Sequence, residues 1–425
     1  MSRVLVVASK RTYRLDDITA AGARLGLALV LATDRCHVLA SEWKDDILTL
    51  RSLTDRDEAC RVIAVSHALA PFTAIVGTCD LSTELAAYAS RRLGLPTNPP
   101  QAAALARHKG RMRQVLQDAG VAVPPFHEFS LRADGSVPVA ELVRAAEQDL
   151  GWPVVVKPVL LSGSRGVMRV DDAAGMEVAA RRLGAILADP ELRASGEEGH
   201  RRVLVERYVP GDEVAVEGLL RDGALSVLAF FDKPDPLTGP FFEETLYVTP
   251  SRHPPARQAA VVRAVQDAVR AMGLVQGPVH AEVRITPEGV PFVIEAAARS
   301  IGGLCSRMLR FGTGRTLDEV VLGAAVDRAL ELPAREAQAA GVMMIPVPRA
   351  GTLHGWEGEA EARAVEGVVE VTITARPHEE LVPLPEGQSY LGFIFARART
   401  PDAVEAALRE AHRRLRFEVT PRLLA

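Results

Sequence analysis

Glu282 and Glu295 lie in PVHAEVRITPEGVPFVIEAAARSIGG (Pro278 to Gly303), among residues that otherwise suit a protein core. The stretch reads as a hairpin. Val279 to Ile285 alternates in type, Thr286 to Gly289 is a turn, and Pro291 to Ile294 is apolar. Alternate residues of a strand share a face, so His280, Glu282 and Arg284 point one way and Ala281, Val283 and Ile285 the other. Glu295 ends the partner strand, and the two carboxylates converge across the hairpin. Side by side they repel, and one has to take up a proton. Burial adds a further cost unless something pairs with them. A divalent cation removes both problems, and Mg²⁺ favours one or two carboxylates, retained water and phosphate oxygens. Glu244, in FFEETLYVTPS, is a candidate third oxygen donor. The alternative that these residues leave open is a pair of solvent-facing glutamates on an exposed sheet.

Phosphate oxygens need partners of their own. Lys157 ends the apolar strand PVVVKPV and is followed by SGSRGV, in which Ser162, Gly163, Ser164, Gly166 and Val167 make a flexible turn. Glycines there permit positive φ and let backbone N–H groups approach an anion. The turn matches neither the Walker A pattern nor G-x-G-x-x-G. Taken alone, Lys157 is equally a snorkelling side chain. Together, lysine and turn can hold nucleotide phosphates, with Lys157 as the point charge. In VERYVPGDE, Glu206 and Glu213 flank Tyr208 and Val209, with Pro210 and Gly211 turning the chain. This segment suits an edge that meets an adenine through main-chain groups, Glu213 accepting from ribose hydroxyls. A surface turn is the plainer alternative. Arg299 follows the second glutamate and can stabilise negative charge developing at a reaction centre, or make a structural salt bridge. Behind it, Gly302 and Gly303 let the backbone approach a ligand; with His280 they are candidate substrate contacts. Glu84 is a further candidate, for a substrate ammonium, although an exposed helix glutamate is the simpler reading.

The elements that must position these groups are legible in outline. Residues 1–96 alternate strand and helix: Val4 to Ala8, Leu27 to Ala32 and Ala74 to Val76 as strands, with helices to Leu25 and from about Ser82 to Leu93. That alternation implies a parallel sheet with helices on both faces, and Gly77 to Asp80 lies where such sheets bind ligands. GLPTNPP (Gly94 to Pro100) is a linker, and HKGRMRQVLQDAG a helix ending at Gly120. Residues from about 124 to 205 fit a small α+β unit. Residues 336–425 read as a separate α+β module, with GVMMIPVP, VVEVTI and YLGFIFARA as strands and Pro401 to Leu415 as its closing helix.

Composition sets bounds. The chain has 425 residues, enough for two to four domains, with 48% hydrophobic and 24% charged residues. A net charge of −4 provides no global basic field for nucleic acid or anionic lipid. Only REAHRRLRF (Arg409 to Phe417) is locally basic, as a solvated helix face. Cys36, Cys60, Cys79 and Cys305 are scattered and show neither a zinc nor a disulfide pattern. The N-terminus has no signal-peptide pattern, and no apolar run is long enough to span a bilayer. The expectation is a cytoplasmic protein that binds neither membrane nor nucleic acid.

In this order, Lys109 in HKGRM, Lys157 before its glycine turn, Glu206 with Glu213, and Glu282 and Glu295 followed by Arg299 resemble the ATP-grasp superfamily. GPVHAEVRI, VIEAAARSIGGLCSRMLRFGTG, GVMMIPVP and LPEGQSYLGFIFARA resemble its L-amino acid ligase branch, which makes dipeptides and related amides. The resemblance covers nearly the whole chain. It implies an N-terminal pre-ATP domain (1–96), an ATP-grasp domain (97–335) with a mobile lid at about 124–205, and a C-terminal ligase-type domain (336–425). It implies ATP and one or two Mg²⁺ or Mn²⁺ ions. Lys109 and Lys157 would contact phosphates under the Ser162 to Val167 turn. Glu206, Tyr208, Val209 and Glu213 would frame the nucleoside. Glu244, Glu282 and Glu295 would hold metal, and Arg299 would steady the reaction centre. Many ATP-grasp enzymes carry an asparagine ligand two residues after the second glutamate; here it is Ala297, which raises the importance of Glu244. The activity implied is joining an amino acid or similar carboxylate to an amine, a second amino acid foremost, through an acyl phosphate with release of ADP. Activation of another carboxylate or of bicarbonate, and an ATP-binding regulatory protein without catalysis, are the alternatives. The substrates and the oligomeric state stay open, a homodimer being common among such enzymes.

Overall fold

The computed structural model describes residues 1–9, 12–34, 46–327 and 329–421; Cys36 lies outside them. The N-terminal part is the expected parallel sheet. Its strands run in the order Ile47–Thr49, Ala28–Thr33, Arg3–Ala8, Ala74–Gly77, all parallel. Both faces are buried, as a parallel sheet requires. Leu5, Val7 and Val30 pack under helices Arg56–Leu69 and Asp80–Arg92, while Val4 and Val6 pack with Ile18 and with Leu322 of helix Leu317–Val326. That second contact docks this part onto the rest of the chain.

A four-stranded antiparallel sheet occupies the segment expected to be the lid. Phe126–Ser130, Arg202–Arg207, Val154–Pro158 and Met168–Val170 pair in that order, backed by helix Ala173–Leu187. Val203, Val205, Val154, Val156, Met176 and Leu183 form its small core.

The largest element is an eight-stranded antiparallel sheet. Its order is Pro291–Ala297, Gly277–Ile285, Asp212–Arg221, Ala224–Asp232, Leu246–Thr249, Ala339–Ile345, Gly392–Ala398, Val368–Ile373. The last three strands are those expected for a separate C-terminal module. They complete the same sheet, because Ala339–Ile345 pairs directly with Leu246–Thr249. Helix Pro255–Ala271 covers one face near Val279, Ala281 and Val283, and helix Pro401–Arg414 covers the C-terminal end. The expected hairpin is present, and a bulge between Glu282 and Val283 gives its second strand one extra residue, Ile294. No described helix is long and apolar enough to cross a membrane.

Candidate active site

The site sits on the face of the large sheet away from helix Pro255–Ala271. Period-two alternation puts Val279, Ala281, Val283 and Ile285 into the core below, so His280, Glu282 and Arg284 rise into a cavity of about 330 Å³. The adjacent strand Asp212–Arg221 obeys the same rule. Val214 and Val216 go down, and Glu213 and Glu217 come up. Glu282 is the register partner of Glu295, so the two carboxylates face across the hairpin as expected. Both line the cavity, with Lys109, Lys157, Ser162, Gly163, Ser164, Val167, Glu206, Tyr208, Val209, Glu244, Arg299, Gly302 and Gly303.

The carboxylates group differently from the expectation. Among the described residues, Glu213, Glu244 and Glu282 have ligand oxygens all within 4.8 Å of one another. Glu295 instead lies 3.5 Å from the Lys109 ammonium. Glu213, expected at a ribose, is thus part of the acidic cluster. At the cluster's centre is a residue that sequence reasoning missed. The Lys233 Nζ donates to Glu213 at 2.7 Å and to Glu244, and lies 3.6 Å from Glu282. Lys233 follows the strand Ala224–Asp232 in FFDKPDP, where nothing in the spacing relates it to the glutamates.

Charge in this cluster is balanced by geometry. Burial opposes the Lys233 ammonium, but Glu213, Glu244 and Glu282 overcome it and hold its pKa well above the usual range. Burial and the neighbouring Glu282 push Glu244 up to about 7, against the pull of Lys233. Glu282 is held far below the ordinary carboxylate range; burial works against this, and Lys233 and the His280 ring 3.6 Å away outweigh it. His280 is buried, yet its hydrogen bond to Glu217 and the Glu282 carboxylate 3.6 Å away hold it up at about 9, so it is an imidazolium at neutral pH. Its partner Glu217, fully buried and also missed from sequence, takes the His280 ring at 3.0 Å and accepts from the Ile301 N–H at 3.1 Å. Glu217 therefore ties the loop behind Arg299 to the sheet. Three convergent carboxylates with oxygen-only donors suit a hard divalent cation, Mg²⁺ or Mn²⁺.

The lid supplies the opposite wall. Ser164, Gly163 and Gly166 all adopt positive φ, at 55°, 62° and 76°. A Cβ on Gly166 would also meet Pro158 at 2.7 Å, so the turn requires glycine there. Lys157 is buried and bound to Glu206, whose other oxygen takes Arg113 at 2.5 Å. Burial lowers the Lys157 pKa, only partly offset by Glu206. The Glu206 carboxylate orders these two cations. Lys109 opens the helix Lys109–Asp118 and donates to the Leu161 carbonyl at 2.7 Å, at the edge of the turn. Tyr208 and Val209, expected beside a nucleoside, occupy the crossing between the lid strand Arg202–Arg207 and the sheet strand Asp212–Arg221 and line the cavity. Arg284 sits over the Tyr208 ring at 5.0 Å.

From the N-terminal sheet come Thr78, Cys79 and Asp80, just past the strand Ala74–Gly77. Asp80 accepts from Arg299 Nε at 2.9 Å, and burial of the guanidinium is outweighed by that carboxylate, so its pKa is raised. Glu84 corrects an expectation. It is 1% exposed, and its oxygens are taken by Arg56 and, at 2.5 Å, by Arg107. One helical turn on from Asp80, its side chain points away from the cavity edge into this ion-pair network.

Comparison with known proteins agrees with this fold. Residues 150–308 match the ATP-grasp domain, 19–97 the ATP-grasp N-terminal domain, and 343–420 the L-amino acid ligase C-terminal domain 2. The crystal structure of L-amino acid ligase from Bacillus licheniformis superposes with a TM-score of 0.80 at 27% identity, covering 99% of both chains. Alanine–anticapsin ligase of Bacillus subtilis (strain 168) is 29% identical over 51% of this chain and 46% of its own. Carnosine synthase 1 of Gallus gallus is 32% identical over 71% of this chain and 33% of its own. The chain thus spans less than half the length of these two curated relatives. The fold, the three matched segments and the full-length superposition lead to one conclusion: the chain belongs to the ATP-grasp superfamily and carries the C-terminal domain of the L-amino acid ligases.

Proposed function

We propose that the protein is an ATP-dependent carboxylate–amine ligase that joins an amino acid to a second amino acid with release of ADP and phosphate. One observation carries this reading. Lys109, Lys157, the acidic cluster, Arg299 and the turn Ser162 to Val167 all line a single cavity, although they come from elements far apart in the chain. A divalent ion held by Glu213, Glu244 and Glu282, with Glu295 opposite, would neutralise phosphate charge.

The chemistry then follows from the remaining groups. Lys109 and Lys157 hold the phosphates from the lid side. A substrate carboxylate oxygen attacks the γ-phosphorus, the bond to the β-phosphate oxygen breaks, and ADP and an acyl phosphate result. The amine of the second substrate attacks the acyl carbon, and Arg299 stabilises the oxyanion that forms. Collapse expels phosphate, and the nitrogen loses its proton. Asp80 holds Arg299 in place for this step. Acyl phosphates hydrolyse, so the lid has to exclude water while both substrates react.

The test mixes purified protein, Mg-ATP and pooled L-amino acids, and reads nucleotides and new masses together. The expected result is ADP with a product equal to two amino acids less water. Glu282→Gln and Glu295→Gln should each abolish ADP formation. AMP as the nucleotide product, or ADP release surviving both substitutions, would overturn the reading.

A further inference from the structure

The C-terminal part reaches back over the lid at one place. The segment Pro383 to Gln388 lies against the glycine turn that faces the cavity. The Gly166 N–H donates to the Pro385 carbonyl at 2.8 Å, and Arg165 Nε donates to the Glu386 carbonyl at 3.0 Å. The Glu386 carboxylate takes Arg182, on the lid helix Ala173–Leu187, in a two-pronged pair with both bonds at 2.7 Å. Gln388 completes the contact, lying 3.8 Å from where a Gly163 Cβ would sit and lining the cavity itself. These bonds join residues that are more than two hundred positions apart for each Glu386 partner. Within the turn, the Arg165 and Val167 N–H groups donate to the Ser162 and Ser164 carbonyls, so the Gly166 N–H to Pro385 is a backbone bond that ties the turn to the C-terminal part.

We infer that Glu386 is a positioning residue that clasps the lid: with Arg182 and the Pro385 carbonyl, it holds the glycine turn down over the nucleotide site. The C-terminal part then does more than wall the substrate cavity. It sets how far and how often the lid opens, and so couples nucleotide retention to its own seating. The inference rests on the proposed ATP-dependent reading for its catalytic consequence, but the clasp is made by the chain's own residues and can be tested without nucleotide.

The experiment uses the full-length chain as wild type, Glu386→Ala, Arg182→Glu, and the charge-swapped pair Arg182→Glu with Glu386→Arg. Limited proteolysis without nucleotide reads lid opening, and equilibrium binding of Mg-ATP reads retention. Both single variants should expose lid cleavage sites faster than wild type at an unchanged melting temperature. Their Mg-ATP affinity should fall by about two- to fivefold, the range of one paired, partly exposed carboxylate–guanidinium contact. The swapped pair should recover most of both losses. Single variants with wild-type cleavage rates would overturn the clasp. Faster cleavage with unchanged Mg-ATP binding would confine the clasp to structure and overturn its role at the nucleotide site. A wild type that shows the cleavage difference against its variants but binds no Mg-ATP would instead reject the ATP-dependent reading.

Discussion

At the scale of single residues, the cavity is organised by cations embedded among carboxylates. Lys233 is the clearest case, because three glutamates converge on one ammonium. Replacing it with methionine keeps the length and removes the charge. Glu213, Glu244 and Glu282 would then lose the ammonium that pairs with them, leaving a bound divalent cation as the remaining positive charge among them. We expect Lys233→Met to lower kcat by about a hundredfold, the scale on which losing one preorganised donor acts; steady-state ADP release checks it. His280 acts on stability instead. Its Glu217 partner is fully buried, and deleting one member of a buried pair leaves an uncompensated charge that costs about 3–5 kcal/mol. His280→Leu should therefore lower the urea midpoint sharply, whereas Glu217→Gln, which keeps a hydrogen-bond acceptor, should cost less. The alternation of HAEVR makes His280 and Glu282 legible from the chain alone. Lys233 and Glu217 are not legible there, because their partners come from strands that become neighbours only when the sheet closes.

At the scale of elements, each wall of the site comes from a different unit, and the contacts between units aim the side chains. The pairing of Asp80 with Arg299 links the N-terminal helix Asp80–Arg92 to the loop after the hairpin that carries Glu282 and Glu295. Asp80→Asn would keep the shape and lose the charge. It should lower kcat about tenfold or more while leaving Mg-ATP affinity near wild type, since a hydrogen bond to a charged group contributes about 1.5–3 kcal/mol. An equal loss in ATP affinity would show that Asp80 serves the nucleotide. The strand end at Gly77 to Asp80 is readable as a ligand edge because parallel sheets bind at their carboxyl ends. Which acidic residue faces inward is not readable. Asp80 and Glu84 differ by one helical turn, and only the arginines Arg56 and Arg107, brought in from two other helices, decide that Glu84 turns away.

At the scale of the whole molecule, the eight-stranded sheet makes the ligase-type C-terminal part inseparable from the catalytic core. In sequence the segment after residue 335 looks like an appended module, because its strands and helix form a self-contained α+β pattern. The structure pairs Leu246–Thr249 with Ala339–Ile345 over four register positions, and Phe393 and Phe395 pack into the same core as Phe231, Leu304 and Phe311. No periodicity within either segment reports that pairing, which joins strands nearly a hundred residues apart. Cutting the chain after residue 335 would therefore leave the strand Leu246–Thr249 as an open edge and strip one side of a buried aromatic core. We expect the truncated protein to be insoluble or to unfold without cooperativity, and to lose Mg-ATP binding together with its fold. Urea unfolding followed by circular dichroism, beside Mg-ATP titration, checks this. A truncated chain that unfolds cooperatively and binds Mg-ATP would mean that the shared sheet is a docking contact, and that the core closes its edge by itself.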